Sequence, residues 1–440
     1  MTHYIPSNSK DENEILRKIG VKSFEDLVKI IPKELRVKDN LLGLDDGVSE
    51  IELSQFIDDM NSDSSSNICF SGGGVYDHYV PKIIDFIASR SEFNTAYTPY
   101  QPEVSQGTLQ YVYEFQSMIC ELSGLDISNA SLYDGASSLA EACSLAVAHT
   151  RKRKIIISDT INPNYLEVTK TYMKYRDVEF ITIPSSNGIS DIEMIKNIDF
   201  DDVACIAIQS PNYYGYLENW EFFSKLISNH KALLIGISDP TCLSVIKSPG
   251  ACNVDIYVGE GQPLGNYLSY GGPYLGLFAI KDSLKRKLPG RVVGRTVDSN
   301  GKSGFVLTMQ TREQHIRRSK ATSNICTNQG LIALRSAVYM SLVGKEGLPQ
   351  LMKLCFNKAQ YAADAIEKID GFELYFGRRN FIKEFTVKTS FDAKNIKNEA
   401  ENHNLLFDCL GENLLKFSFT EKRTKNDIDK LISFLESYNG

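Results

Sequence analysis

The chain has 440 residues, of which 42% are hydrophobic and 23% charged, and its formal net charge is −7. This composition is typical of a globular protein, and the length predicts at least two domains because one core rarely supports so long a chain. The acidic balance argues against a dedicated nucleic-acid binder. No segment approaches the ~20 apolar residues of a membrane span and no signal peptide is recognisable, so we expect a cytoplasmic protein. The nine cysteines and six histidines are dispersed, which predicts reduced thiols and no metal site.

The first 65 residues are predicted to form an N-terminal helical arm (residues 1–65). Ser23 is placed to cap a helix that begins at the next residue and carries Leu27, Ile30 and Ile31 on one face. The serine-rich segment at residues 61–67 has no apolar periodicity. It therefore predicts a break in the chain and sets the first domain boundary.

Residues 66–345 are predicted to form a large α/β domain. Apolar spacing indicates a helix at residues 107–123 with Gly124 as its C-cap, a short strand at 130–133, and a helix from Ser137 that buries Leu139, Cys143 and Ala146. Short Ile- and Val-rich strands then alternate with helices. These strands are expected at residues 155–158, 180–183, 203–208, 233–237, 255–258 and 275–280. Strands that are apolar on both faces predict a mostly parallel sheet covered by helices on both sides.

Residues 346–440 are predicted to form a small C-terminal α+β domain. A helix-rich connection at residues 331–352 leads to strands at 372–375, 382–388 and 414–419, with helices at 359–369 and 427–437. A large α/β domain followed by a small α+β domain is the architecture of aminotransferase-like enzymes.

The segment YTPYQPEVSQG at residues 97–107 predicts a stiff loop. Pro99 and Pro102 fix their own φ angles and restrict the residues before them, so the loop presents Tyr97, Tyr100 and Gln101 in a defined arrangement. Stiff loops with aromatic and amide groups are suited to binding a ligand. A plain turn into the following helix explains the same pattern, and both interpretations stay open.

The segment YDGASS at residues 133–138 leads from the predicted strand into a helix. Free amide groups at such a turn can bind a phosphate, as they do in aminotransferase-like enzymes. However, Asp134 brings a negative charge to that place, and most turns of this kind bind nothing. We therefore favour a turn that holds no ligand.

Asp239 follows a predicted buried strand, where aminotransferase-like enzymes place the aspartate that faces the pyridinium nitrogen of pyridoxal phosphate (PLP). These enzymes need a lysine ~20–30 residues later to form the Schiff base. No lysine occurs between Lys247 and Lys281, and the expected position falls in GEGQPLG at residues 259–265. The domain thus has the predicted frame of a PLP enzyme without the attachment point.

Two further segments have simpler explanations. The glycines of GEGQPLG resemble a dinucleotide-binding loop, but no long amphipathic helix follows them directly, so we reject that interpretation. Arg312, Arg317, Arg318 and Lys320 place four cations within nine residues, next to a Thr/Ser/Asn cluster that is expected to cap a helix beginning near Ile325. This run predicts a solvated face or, alternatively, an anion-binding or subunit-contact segment.

Together these segments resemble the glycine decarboxylase P-protein family of the glycine cleavage system. The resemblance runs along essentially the whole chain. The matching stretches are SFEDLVKIIP, YTPYQPEVSQG, GLDISNASLYDG, SYGGPYLG, LPGRVVG and TREQHIRRSKATSNICTNQ.

The resemblance implies the PLP-dependent transferase fold type I and a role as one subunit of glycine dehydrogenase (aminomethyl-transferring, decarboxylating). In this family the enzyme is one long chain or two subunits, and only the second half carries the PLP-binding lysine. The missing lysine identifies this chain as the first, N-terminal-half type. With a PLP-bearing second subunit, in an expected α2β2 complex, it would decarboxylate glycine and pass the aminomethyl group to the lipoyl arm of H-protein.

The resemblance also suggests which residues serve the partner's active site. Tyr97, Tyr100, Gln101 and His78 are the candidates, together with residues 72–76, while Asp239 is expected to be a remnant of a cofactor site with no catalytic role. Two alternatives stay open. The chain could be a self-sufficient PLP enzyme that uses Lys247 or Lys281, or a purely structural partner subunit.

Overall fold

The computed structural model describes residues 8–36, 43, 47–64, 67–95, 97–196, 198–321, 323–377 and 380–438. The chain divides into two compact units, Met1–Ser66 and Asn67–Gly440. The helices, numbered in chain order, are α1 Ser9–Ile19, α2 Phe24–Val28, α3 Glu50–Ser64, α4 Lys82–Ala88, α5 Gln106–Ser123, α6 Gly135–Thr150, α7 Pro163–Met173, α8 Ile192–Ile195, α9 Trp220–Ile227, α10 Gln314–Arg317, α11 Gly330–Ile366, α12 Ala393–Asn402 and α13 Lys425–Ser437.

The strands are short, as expected for a parallel sheet between helices. In chain order they are β1 Ile68–Cys69, β2 Ile127–Ser128, β3 Lys154–Ser158, β4 Glu179–Ile183, β5 Ser185–Ser186, β6 Ile189–Ser190, β7 Val203–Gln209, β8 Leu233–Ile237, β9 Ile256–Glu260, β10 Gly276–Ile280, β11 Val292–Val297, β12 Ser303–Thr308, β13 Phe372–Leu374, β14 Glu384–Thr389, β15 Leu405–Leu406, β16 Asp408–Cys409 and β17 Leu414–Ser418.

The first unit is helical, and its sequence signals are only partly confirmed. Ser23 caps α2 as predicted, since its hydroxyl accepts a hydrogen bond from the amide of Asp26. However, α2 ends at Val28, so Ile30 and Ile31 lie outside it, and Ile30 is 90% exposed. The predicted break at residues 61–67 is also wrong over its first four residues, because α3 continues to Ser64. Polar residues lower helix propensity only slightly, and local context readily overrides that preference.

A seven-stranded sheet forms the centre of the second unit, in the order β2-β10-β9-β8-β7-β3-β4. Strands β4, β3, β7, β8 and β9 are parallel, whereas β10 and β2 pair in the antiparallel sense at one edge. Alternate residues of β7 enter different hydrophobic clusters, with Ile206 and Ile208 in one and Cys205 and Ala207 in the other. The sheet is therefore buried on both faces, which confirms the predicted α/β class.

The C-terminal part contains the predicted strands and flanking helices. Strands β13, β14, β17 and β16 form an antiparallel sheet in that order. The sheet packs against α11, α12 and α13 around a cluster that includes Phe385, Phe417 and Leu431. Helix α11 joins this part to the large sheet and is interrupted at Gly344, whose φ of 62° is not helical. Gly344 therefore marks where α11 bends.

Two local predictions are wrong. The strand expected at residues 130–133 is replaced by β2 at Ile127–Ser128 and a single bridge between Leu132 and Gly276, because Ser131 has a φ of 128° that interrupts the extended backbone. The helix expected from Ile325 begins at Gly330. By contrast, α5 ends at the predicted C-cap Gly124, and α6 buries the predicted apolar face.

Candidate functional site

Polar side chains converge where the parallel strands of the large sheet end. Gln209 ends β7, Glu260 ends β9, and Asp239 lies two residues beyond β8. Because the carboxyl ends of parallel strands meet at one edge of a sheet, ligands of α/β proteins commonly bind there. Here the cavity at that edge has a volume of only about 20 Å³ and is lined also by Tyr76 and Lys383.

Lys383 fills the space beside Asp239. The lysine lies just before β14, in the C-terminal part of the unit, and its side chain is 2% exposed. Its ammonium forms an ion pair with Asp239 and lies 3.5 Å from the centre of the Tyr76 ring and 3.3 Å from the hydroxyl of Thr241. Although burial opposes it, the charge of Lys383 lowers the pKa of Asp239, and Asp239 in turn raises the pKa of Lys383. Both groups are therefore ionised.

His78 extends this network toward Glu421. Its Nε2 lies 2.9 Å from the ammonium of Lys383, and its Nδ1 lies 2.6 Å from a carboxylate oxygen of Glu421. An ammonium can only donate, so Nε2 accepts and the ring proton is on Nδ1, which donates to Glu421. Burial and the neighbouring Lys383 lower the pKa of His78. Although burial opposes it, the hydrogen bond from His78 lowers the pKa of Glu421 to about 2. The imidazole is thus neutral and held in one tautomer.

Glu260 lies where a Schiff-base lysine was expected, 21 residues after Asp239. Its carboxylate accepts hydrogen bonds of 2.9 to 3.0 Å from the amides of Gly135, Gln262 and Leu275. Gly135 is the first residue of α6, so this carboxylate occupies the helix N-terminus that could otherwise bind a phosphate. Burial raises the pKa of Glu260 to about 8.

The segment at residues 72–76 is held by Glu384, the first residue of β14. The carboxylate of Glu384 accepts hydrogen bonds from the amide of Gly73 at 2.9 Å and from the hydroxyl of Tyr76 at 2.8 Å. Gly73 has a φ of 77°, and a Cβ there would collide with the amine of buried Lys416. The segment is therefore an internal part of the fold, tied to the C-terminal sheet.

PLP does not fit this arrangement. A cavity of about 20 Å³ holds about one water molecule, far less than a cofactor ring and phosphate. The carboxylate of Glu260 occupies the amide group that would bind the phosphate, and Lys383 occupies the face of Asp239 that would meet the pyridinium nitrogen. The interpretation of residues 133–138 as a turn without a ligand agrees with these contacts, since Asp134 caps α6 through the amide of Ser137.

Neither lysine of the alternative hypothesis lines this cavity. Lys247 is exposed and paired with Glu221 at 2.5 Å. Lys281 pairs with Asp255 at 2.7 Å, and Asp255 precedes β9, so this pair lies at the opposite end of the strand from Glu260. Among the residues that the structure describes, Lys383 is thus the only lysine beside Asp239.

The predicted loop lies elsewhere, at the surface. Tyr97 is 88% exposed and Tyr100 is 51% exposed, and Gln101 immediately precedes a short 3-10 helix. The hydroxyl of Tyr100 accepts a hydrogen bond of 3.2 Å from the guanidinium of Arg291, which also lies over the Tyr100 ring. The loop groups are accessible, and no described hydrogen bond joins them to His78.

His78 itself is buried, and both of its ring nitrogens bind groups of this chain. In this conformation it offers no group to a neighbouring subunit. Sequence reasoning missed Lys383, Glu421 and Glu260. Lys383 is 144 residues beyond Asp239, so no local spacing could reveal it, whereas Glu260 could have been found by asking which residue replaces the expected lysine.

The basic run is divided between the interior and the surface. Arg312 is half-buried and donates to the carbonyl oxygens of Met309 and Gly290, and burial lowers its pKa. Arg317, Arg318 and Lys320 are exposed. Whether these exposed cations meet a subunit stays a prediction.

One group of three side chains could in principle hold a metal ion. Ligand atoms of His78, Cys355 and Glu421 lie within 4.8 Å of one another. However, Nδ1 of His78 already donates to Glu421, and burial raises the pKa of the Cys355 thiol to about 12. A thiol that stays protonated is a weak ligand, so a hydrogen-bonded network explains this group better.

Among the described helices, none combines the length and apolarity that a membrane crossing requires. The sequence is similar to those of named bacterial proteins over almost its whole length. It is 44% identical over 440 residues to the probable glycine dehydrogenase (decarboxylating) subunit 1 of Chloroherpeton thalassium, with 98% of this chain and 99% of the relative covered. It is also 44% identical over 443 residues to the protein of the same name from Desulforamulus reducens, with the same coverage.

Among solved structures, the chain is similar to a glycine decarboxylase (P-protein) of the glycine cleavage system in inhibitor-bound form, with a TM-score of 0.89, 36% identity and 99% of both chains covered. A sphingosine-1-phosphate lyase from Burkholderia pseudomallei shares the fold at 13% identity, with a TM-score of 0.66 over 89% of this chain and 90% of that one. The family model described as glycine cleavage system P-protein matches residues 2–435. The chain therefore belongs to the glycine cleavage system P-protein family.

Proposed function

We propose that this chain is the subunit of a two-subunit glycine decarboxylase that does not bind PLP. With a PLP-bearing second subunit, in an α2β2 complex, it would decarboxylate glycine and deliver the aminomethyl group to the lipoyl arm of H-protein. Membership of the P-protein family and relatives named subunit 1 support this role. A cytoplasmic location is part of the same proposal.

The observation that carries the proposal is the occupied cofactor-type cavity. Seating PLP would require Lys383 to leave Asp239 and the carboxylate of Glu260 to leave the N-terminus of α6. Removing one partner of a buried ion pair costs about 3–5 kcal/mol. A phosphate would also meet the negative charge of Asp134 beside the carboxyl group of Glu260. These costs support placing the cofactor and its lysine on the partner.

The loop of Tyr97, Tyr100 and Gln101 supports a second part of the proposal. We infer that it contributes side chains to the partner's active site. Its aromatic groups are exposed, and prolines restrict its backbone, so contact with a partner would require little further ordering. The buried His78 does not share this accessibility and instead acts inside the chain, where it binds Lys383 and Glu421.

Absorption spectroscopy tests the cofactor assignment. The isolated full-length chain, mixed with PLP, should develop no internal-aldimine band, and borohydride treatment followed by mass spectrometry should label no lysine stoichiometrically. The matched measurement uses the complex with its second subunit, in which the band should appear and the label should be on the partner. Stoichiometric labelling of Lys247, Lys281 or Lys383 in the isolated chain would overturn the assignment.

Activity measurement separates the proposal from its alternatives. The isolated chain should show no glycine–CO2 exchange, while the complex should be active. Robust exchange by the isolated chain would favour the self-sufficient enzyme. Full activity of the second subunit alone would favour a purely structural role for this chain.

A further inference from the structure

A second cleft of about 480 Å³ lies beside the Tyr97 loop. It shares no lining residue with the small cavity at Asp239, and its volume falls in the range of small-molecule sites. Val112, Val293 and Leu307 give it apolar walls. The cleft is therefore large enough for an organic molecule, and its polar groups decide which kind.

Arg291 is a buried cation in this cleft. The residue is 4% exposed, and its Nη2 donates to the hydroxyl of Tyr100 at 3.2 Å. Its Nε is buried and has no hydrogen-bond partner among the described residues. No described carboxylate forms an ion pair with the guanidinium. A buried charge without a counter-charge is unfavourable, so an anion that reached Arg291 would be strongly held.

The N-terminus of α11 lines the same cleft. Gly330, Leu331 and Ile332 are its first residues, and the first amides of an α-helix have no partner within it. The side chain of Gln329, the N-cap residue, makes no capping hydrogen bond. The amides and the helix dipole therefore favour an anion at this end of the helix, as the guanidinium of Arg291 does.

Tyr111 adds a third donor. Its hydroxyl lies 3.4 Å from the position a Cβ would take on Gly330, so it is close to the start of α11. Burial raises the pKa of Tyr111 to about 12, which keeps the hydroxyl protonated at neutral pH. Guanidinium, helix amides and phenol are three kinds of donor on the wall of one cleft.

The geometry points to a binding site for the carboxylate or phosphate monoester of a small organic molecule, in which Arg291 is the main residue that contacts the anion. The groups named here all belong to this chain, and the inference rests on the proposed function, because Tyr97, which is proposed to serve the partner's active site, lines the same cleft. Its apolar walls would contact the uncharged part of the ligand.

Titration calorimetry on the isolated full-length chain tests this inference, with inorganic phosphate and acetate as probes and sodium chloride at matched ionic strength as the blank. The wild-type chain should bind at least one oxyanion saturably at one site. Preference for phosphate would indicate a phosphate monoester, and preference for acetate a carboxylate. Arg291→Met should weaken binding by about 10- to 100-fold, since it removes charged hydrogen bonds.

Arg295→Met is the matched control, because Arg295 lies four residues further along the chain, on β11, is exposed and donates to Ser303 outside the cleft. It should bind like the wild type. If Arg291→Met does not fold, Arg291→Lys and Tyr111→Phe replace it, each with weaker binding expected. The inference is overturned if neither oxyanion binds the wild-type chain saturably, or if folded Arg291 variants bind as well as the wild type does. Because the test needs no second subunit, failure of the anion site leaves the partner role unaffected.

Discussion

Replacing Lys383 with methionine tests whether the buried ion pair organises the cofactor-type cavity. Methionine keeps much of the apolar length of the side chain but removes the ammonium. The change breaks the ion pair with Asp239 and removes the contacts to Nε2 of His78 and the hydroxyl of Thr241. Among the described contacts, Asp239 then keeps its hydrogen bonds from Thr241, at 2.7 and 2.8 Å, and it becomes a buried charge that has lost its counter-ion.

Loss of one partner of a buried pair is expected to cost about 3–5 kcal/mol. An unfolding entropy of ~2.1 cal/mol/K per residue gives ~0.8 kcal/mol/K for the unit Asn67–Gly440. The melting temperature measured by calorimetry should therefore fall by about 4–6 °C. Lys388→Met is the matched control, because Lys388 lies five residues further along, on β14, in an exposed ion pair with Glu373, for which about 0–1 kcal/mol is expected.

The double variant Lys383→Met/Asp239→Asn decides the cause. It removes the unpaired charge as well, so it should be more stable than Lys383→Met alone. The deficit of the single variant should also shrink as the pH is lowered, because the buried carboxyl of Asp239 can then become protonated. A double variant no more stable than the single one, or a Lys383→Met loss equal to that of Lys388→Met, would refute the reasoning.

Three further changes test other parts of the structure. Burial raises the pKa of Glu260 to about 8, so the folded chain binds that proton more tightly than the unfolded chain does. The free energy of unfolding should therefore fall as the pH rises from about 4.5 to about 8. Glu260→Gln should flatten this pH dependence in urea unfolding, and an unchanged slope would contradict the prediction. Gly135→Ala should lower the free energy of unfolding by about 1–3 kcal/mol, because the new Cβ would overlap the hydroxyl of Tyr165. Gly107→Ala has open space around it and should be neutral or stabilising. Equal unfolding free energies of the two variants would count against this prediction. Tyr97→Phe should lower the turnover of the reconstituted complex about tenfold without dissociating it. The control Tyr175→Phe, at another exposed tyrosine, should leave the turnover unchanged. Full activity of the Tyr97 variant would mean that the loop has only a structural role.

The sequence by itself determined the architecture of the second unit. Runs such as residues 203–208 and 233–237 are apolar at every position, and only a parallel sheet covered on both faces buries such strands completely. The absence of lysine between Lys247 and Lys281 also predicted that the covalent attachment point is missing. These features depend on local composition and spacing, which the sequence displays directly.

Only the tertiary structure decided what occupies the cavity. Lys383 and Glu421 reach Asp239 and His78 from the C-terminal part of the chain, across more than a hundred residues of sequence. Charge alone did not single them out among 48 basic and 55 acidic residues. Burial gives them their importance, because a charge removed from water must find its partner inside the fold. Burial depends on how the C-terminal part packs around Asp239 and His78, and that arrangement is a property of the whole folded unit.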